Sequence, residues 1–205
     1  LESSIPSFAH HPFLVDETGK GFSKRLGSLS IENFRDEGYE NISLLNYFLF
    51  IGSSSNIDPI KDLNEIVKKF DIQSLSRSSA KFSIESLRNL NENTIKLFSY
   101  NEISHKLKNI KSNFQKESFW RFIKNNISFV NQAKEWEEVI TKINNAKDLN
   151  IDDNFINTAV DELPEDPFDE TTWDHWTSKI NKKTGLKGKD LFMPLRLILT
   201  GKSHG

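Results

Sequence analysis

Cysteine is absent from the 205-residue chain, so it has neither a disulfide framework nor a thiolate metal site. That absence fits a reducing cytosol, and a cytoplasmic location is expected. Methionine occurs once, at Met193, and the first residue is Leu1. The chain therefore reads as a piece of a longer polypeptide. No apolar run approaches the roughly 20 residues that a membrane-spanning helix needs. Residues 1–12 lack the basic start and apolar stretch of a signal peptide. Excess positive charge is missing too: 27 Lys and Arg stand against 29 Asp and Glu, for a net charge of −2. A nucleic acid would have to be held by local basic patches rather than by bulk charge. His10, His11, His105, His175 and His204 never pair at helical ligand spacing beside a carboxylate, so no metal site is expected.

Apolar residues make up 36% of the chain and include sixteen phenylalanines, enough for a core. Their spacing is mostly helical. Phe13 to Asp16 reads as a short strand. Ser30 can cap a helix over 31–37 that stops at Gly38. Asn41 can cap the next, 42–51, which is apolar almost all round and so expected to be buried. Asp62 and Glu65 have the spacing of a capping box ahead of a helix over 63–70. Further helices are expected over 93–99 and 102–116. Others are expected along Phe119-Trp120-Ile123-Ile127, from Phe129 to Ile143, from Asp152 or Asp153 to Leu163, around Trp173 to Ile180, and from Leu191 to Leu199. Pro194 is expected one turn into the last of these. The fold class is mainly all-α, with no sustained β alternation after residue 30.

One stretch stands apart: Gly19-Lys20-Gly21-Phe22-Ser23-Lys24-Arg25-Leu26-Gly27-Ser28. Three glycines free the backbone while Lys20, Lys24 and Arg25 put positive charge on it. A loop of this kind suits a polyanion such as a triphosphate; by composition alone it is also an ordinary solvated basic loop. Gly201-Lys202-Ser203 lacks the glycine five positions earlier that a P-loop needs, since Arg196 stands there. The acidic run from Asp161 to Asp174, broken by Pro164 and Pro167, reads as a solvated connector. The four tryptophans sit at helical period with other apolar residues and read as core. Stacking platforms need exposed aromatics beside basic residues, and Trp120, next to Arg121, is the one that could serve. Two more basic clusters run from Lys106 to Lys124 and from Lys179 to Lys189; either can be a solvated helix face or an RNA contact. Arg121 and Lys124 are three apart and share a helix face.

The run His11-Pro12-Phe13-Leu14, Gly19-Lys20, Ser23-Lys24-Arg25-Leu26-Gly27-Ser28 resembles bacterial glutamyl-tRNA synthetases around their KMSKS-type signature. In that family the loop usually reads Lys-Leu-Ser-Lys-Arg; here Gly21 and Phe22 replace the first two residues. Arg35-Asp36-Glu37-Gly38-Tyr39, Leu44-Leu45-Asn46-Tyr47 and Phe70-Asp71-Ile72 are similar to the segments that follow. Gly188-Lys189, Leu191-Phe192-Met193-Pro194-Leu195-Arg196 and Leu199-Thr200-Gly201 are similar to the carboxyl-terminal signature.

The resemblance implies three parts. Residues 1–28 would end a class I catalytic domain, 29–105 would be a helical stem-contact domain, and 106–205 a helical anticodon-binding region. It implies an aminoacyl-tRNA ligase that joins glutamate to tRNA(Glu) with ATP and Mg2+, and a monomer. Lys24 would be the catalytic residue, within an ATP-binding loop of Gly21, Phe22, Ser23, Lys24 and Arg25. Arg121 and Lys124 would touch tRNA; the family often has an arginine where Lys124 stands. The His-Ile-Gly-His type turn is missing, so this chain alone is expected to be inactive. The alternatives are a stand-alone helical RNA-binding or scaffolding module, and a relative that charges tRNA(Gln).

Overall fold

The computed structural model of the chain describes residues 6–22, 30–110, 115–141 and 151–203. Two compact units divide it, Leu1–Lys134 and Glu135–Gly205. The first carries a parallel strand pair, β1 (Leu14–Val15) and β2 (Ala80–Lys81), and helices α1 (Ile31–Glu37), α2 (Asn41–Phe50), α3 (Leu63–Lys69), α4 (Ile84–Leu97), α5 (Tyr100–Ile103) and α6 (Lys116–Ile123). Helix α7 (Ala133–Thr141) contains the division. The second unit carries α8 (Asp153–Asp161), α9 (Thr172–Thr184) and α10 (Gly188–Thr200).

Local chemistry sets the helix bounds. Ser30 accepts from Asn33 N at 3.0 Å and starts α1; Gly38 ends it in the left-handed region, at φ 96°. Asp62 starts α3 by accepting from Glu65 N at 2.9 Å. The Glu65 carboxylate does not complete a capping box and pairs instead with Lys69, at 3.2 Å. Helix α2 is central because its apolar residues point both ways. On one side Leu44 and Tyr47 join Phe34, Phe82, Leu87 and Leu90. On the other Ile42 and Phe50 join Ile60 and Ile66. Leu45 alone is well exposed, which is the limit of the all-round burial expected for this helix.

Two buried polar side chains join these layers. Asn91 of α4 accepts from Glu40 N at 2.9 Å and donates to Ser128 O at 2.7 Å. The Tyr47 hydroxyl accepts from Ser83 N at 3.0 Å and donates to Ser83 O at 3.1 Å. It thereby serves the residue that caps α4. Gly52, just past α2, has φ 82°, and a Cβ there would lie 2.9 Å from both Pro12 Cγ and Ala80 Cβ. The end of α2 thus presses directly on the strand pair.

Several expectations change. Strand β2 was not visible as alternation because it has two residues. Asn41 is not the cap of α2: Glu40 precedes the helix, and the Asn41 side chain accepts from Ile42 N at 2.8 Å. The helix expected over 93–99 is the end of a longer α4. The one expected over 102–116 breaks after α5, because a capping box between Ser99 and Glu102 starts a single turn there. Leu107 and Ile110, both buried, then follow in three-residue turns. Residues 111–114 lie outside the described residues.

In the second unit, Phe155, Ala159, Trp176, Ile180, Leu191 and Leu195 form the core. Trp176 Nε1 donates to Ala159 O at 2.7 Å. Asp152 caps α8. The acidic connector is not merely solvated: Glu162 pairs with Lys183 at 2.5 Å, and Asp169 accepts from the backbone N–H of Thr171 and Thr172 ahead of α9. Helix α10 begins at Gly188, so Pro194 is its seventh residue and leaves the Asp190 carbonyl without its helical N–H. Ile143, expected on the α7 face, lies outside the described residues.

Replacing Asn91 by Ala strands a buried N–H and a buried C=O. The first unit should lose about 2–4 kcal/mol of unfolding free energy, measured in urea by tryptophan fluorescence. A loss below about 1 kcal/mol would mean that those groups are solvated in the native state.

Candidate functional site

The described part of the glycine-rich stretch is a tight turn hung on β1. Asp16 accepts through Oδ1 from Thr18 N, Thr18 Oγ1 and Lys20 N, at 2.9, 2.7 and 2.9 Å. Asp16 N donates to Lys20 O at 2.8 Å, and Gly19 N to Asp16 O at 2.9 Å. Gly19 supplies the left-handed residue at φ 85°. These bonds, the Thr18 hydroxyl foremost, hold the Asp16 carboxyl below its ordinary range. The turn brings Gly21 back beside Val15 as an antiparallel bridge. A Cβ on Gly21 would meet the Phe13 ring at 3.0 Å, so glycine lets the two segments close. Phe22 then packs edge-on against buried Phe82, centroids 5.7 Å apart. The base of the loop is therefore fastened to the core of the first unit. Ser23, Lys24 and Arg25 lie outside the described residues. The Asp16-Glu17-Thr18-Gly19 turn was readable in sequence as a side-chain-stabilised turn, a signal passed over in favour of the charges.

The second predicted pair lies on and just beyond α6, in the first unit. Arg121 is exposed, and with Lys124 it lines a cleft of about 260 Å³ beside Phe98, Tyr100 and Ser118. Spacing thus brought the two together correctly, but their roles differ. Lys124 Nζ donates to Lys96 O at 2.8 Å and lies 3.5 Å from Phe98 O, closing the carbonyl end of α4. Trp120 is not a stacking surface: it is 2% exposed, and its Nε1 donates to Phe98 O at 2.9 Å. Its place on the α6 face toward the core, beside Phe119 and Ile123, decides that.

A larger cleft, about 650 Å³, went unseen in the sequence. Arg35, Lys61, His105 and Lys106 stand around a floor that includes Ile42 and Ile103. Two carboxylates offset part of this charge: Glu40, buried, pairs with Lys106 at 2.5 Å, and Glu102 with Lys61 at 2.8 Å. The Lys61 ammonium and then Ser99 hold the Glu102 carboxyl down at about 2. No local spacing could have shown this cleft, because its cations come from separate segments of the chain.

Two family models match the chain, one at each end. The family described as "tRNA synthetases class I (E and Q), catalytic domain" matches residues 1–89, and that described as "Anticodon binding domain" matches 120–205. The chain is 37% identical over 206 residues to glutamate–tRNA ligase 1 of Rickettsia bellii, which takes in all of this chain and 46% of that protein. It is 38% identical over 207 residues to glutamate–tRNA ligase 2 of Bartonella tribocorum, with 45% of that protein covered. The chain is thus similar to glutamate–tRNA ligases along its whole length.

The chain spans about half the length of the curated relatives it matches. Its fold is similar to that of the crystal structure of a glutamate–tRNA synthetase from Elizabethkingia anophelis, with a TM-score of 0.69 at 21% identity over 98% of this chain and 47% of that one. Among the described residues, no helix is long and apolar enough to cross a membrane.

The Glu102 carboxyl gives the first unit an acid-sensitive link. Its folded value, about 2, lies below the ordinary 4.5, so its stabilisation is full above pH 4.5 and fades as pH falls toward 2. Glu102→Gln should therefore be less stable than wild type near neutrality, and the difference should shrink across that window. Parallel thermal melts at several pH values measure it; a difference that stays constant down to pH 2 would contradict the link.

Proposed function

We propose that the chain is the part of a glutamate–tRNA ligase that carries the triphosphate-binding loop and grips tRNA. The parent attaches glutamate to tRNA(Glu) in the cytoplasm, using ATP. The observation that carries this reading is the anchored turn Asp16 to Phe22, opening into Ser23-Lys24-Arg25, in a chain similar to these ligases along its whole length. ATP supplies the leaving pyrophosphate when glutamate is adenylated. Lys24 would hold the triphosphate, with Ser23, Arg25 and the backbone at Gly21 and Phe22 supporting the loop. Lys20 would add an outer charge. The turn built by Asp16, Gly19 and Gly21 fixes the position of Phe22, the last described residue before the triphosphate-binding lysine. Among the described residues no three His, Asp or Glu side chains converge.

Functionally, residues 1–28 end the catalytic domain, 29–105 face the tRNA stem and 106–205 the anticodon arm. These divisions cut across the first compact unit, which holds α5 from the stem-facing part and α6 from the anticodon-facing part. Arg121, exposed at the edge of its cleft, would meet a tRNA phosphate, and Lys124 would add only the donor capacity left over from α4. The description "E and Q" favours one second reading, a ligase whose acceptor includes tRNA(Gln). Charging assays with both transcripts separate the two. The chain by itself, without further domains, should bind tRNA and show no glutamylation.

In the full-length parent, Lys24→Ala should slow adenylate formation by about 10²–10³-fold and leave glutamate affinity nearly unchanged. Pyrophosphate exchange reads both; a rate within about threefold of wild type would remove Lys24 from the mechanism. Arg121→Ala should flatten the log–log salt dependence of tRNA binding by somewhat under one unit. An unchanged slope would make Arg121 an ordinary surface residue.

A further inference from the structure

Spacing put Trp173 with the core, and the structure places both Trp173 and Phe192 at the surface of the second unit. Trp173 in the first turn of α9 is 41% exposed, and Phe192 in the second turn of α10 is 44% exposed. Their rings stack, with centroids 6.2 Å apart and planes 25° from parallel. Trp176 braces Trp173 from the core side with an edge-to-face contact at 5.8 Å. The pair is thus a fixed aromatic surface, held from behind and open in front. Two large rings left in water forgo burial worth about 25 cal/mol per Å².

What lies beside them is polar and partly basic. Phe192 forms one wall of a cleft of about 300 Å³ whose other walls include Asp174, Ser178, Asn181, Lys187 and the backbone of Gly188. Asn181 is engaged, donating to Leu186 O at 2.6 Å, whereas Ser178 is exposed and Asp174 and Lys187 face the same space. An apolar protein partner would meet a lysine ammonium and a carboxylate at the edge of its contact. A nucleotide uses all of these: its base takes a ring face, its edges take hydroxyl and carboxylate partners, and its phosphate takes an ammonium.

We propose that the Trp173–Phe192 pair is a stacking platform for one unpaired RNA base, with the adjoining phosphate on Lys187 and the base edge toward Ser178 and Asp174. This rests on the reading of the chain as tRNA-binding, and it assigns to the second unit a base contact that the buried Trp120 cannot make. It also separates two kinds of contact in one ligase. Arg121, on the first unit, would contribute charge and register, and the aromatic pair would recognise that a base is unstacked.

The test uses the full-length protein and two probes, a tRNA(Glu) transcript and an unstructured RNA dodecamer, each with 2-aminopurine placed in turn at successive loop or strand positions. Trp173→Ala and Phe192→Ala should each weaken binding to both probes about 10- to 100-fold, the span of one lost base–aromatic stack. The salt slope should stay unchanged. Trp173→Phe should restore most of the affinity, which a loss of folding would not allow, and melting curves check the fold of each variant. Lys187→Ala should instead flatten the salt slope. In wild type one tRNA position should show quenched 2-aminopurine, and Trp173→Ala should abolish the quenching. Wild type that binds tRNA with Trp173→Ala and Phe192→Ala within twofold of it overturns the platform and leaves the proposed function standing. Variants that alter self-association or capture of an apolar peptide, but not RNA affinity, make this face a protein contact and likewise overturn the platform. Wild type that binds neither probe overturns both readings. Wild type that binds only the dodecamer, through Trp173, overturns the tRNA reading and keeps the platform.

Discussion

Two backbone hydrogen bonds govern how the loop and the helices relate: Ala80 N to Phe13 O at 2.9 Å, and Phe82 N to Val15 O at 2.8 Å. They make the parallel pair of β1 and β2, and parallel strands need a long crossover connection. Here that connection contains α1, α2 and α3. The base of the loop is therefore tied to a strand that follows those three helices in the chain. The pairing also carries Phe82 into the core, where it meets Tyr47 and Phe48, and sets Phe22 against it. The loop thus draws its position from the helical core.

Polar groups inside that core make the arrangement specific. Apolar packing alone would let α4 slide against α2, since greasy faces of similar width tolerate several registers. Asn91 and Tyr47 permit one. Each engages backbone groups 36 to 51 residues away in sequence, and each would leave a buried group unpaired in any other register. Lys124 and Trp120 do the same at the opposite end of α4, where both donate to its terminal carbonyl region. Side chains that looked in sequence like ligand-binding groups are in part the fixings of a helix.

Most of the helical frame was legible because caps and stops are local. Ser30 with Gly38, Asp62, Asp152 and Gly201 needed only neighbours to do their work. What could not be read depended on partners far along the chain. Strand β2 is too short to alternate. The ammonium of Lys124 could be assigned only once the end of α4 was seen beside it. Tryptophan spacing separated helix faces without saying which face was covered: Trp120 and Trp176 are core, and Trp173, at the same period, is not. The cleft around Arg35, Lys61, His105 and Lys106 assembles from segments with no common motif. For the loop, chemistry was clearer than geometry: charge and glycine content were plain, while the turn that anchors them came from a less conspicuous aspartate.

The squeeze at Gly52 has a genetic consequence. Every missense change in a glycine codon adds at least a Cβ, and at this residue that atom falls between Pro12 and Ala80, on a backbone that side chains rarely adopt. The codon lies 28 residues beyond Lys24. Damage there would wedge the strand pair open and shift the base of the loop, more so as heat loosens the surrounding packing. Heat-sensitive lesions are thus expected at this stretch of bare backbone, well away in sequence from the charged residues of the loop.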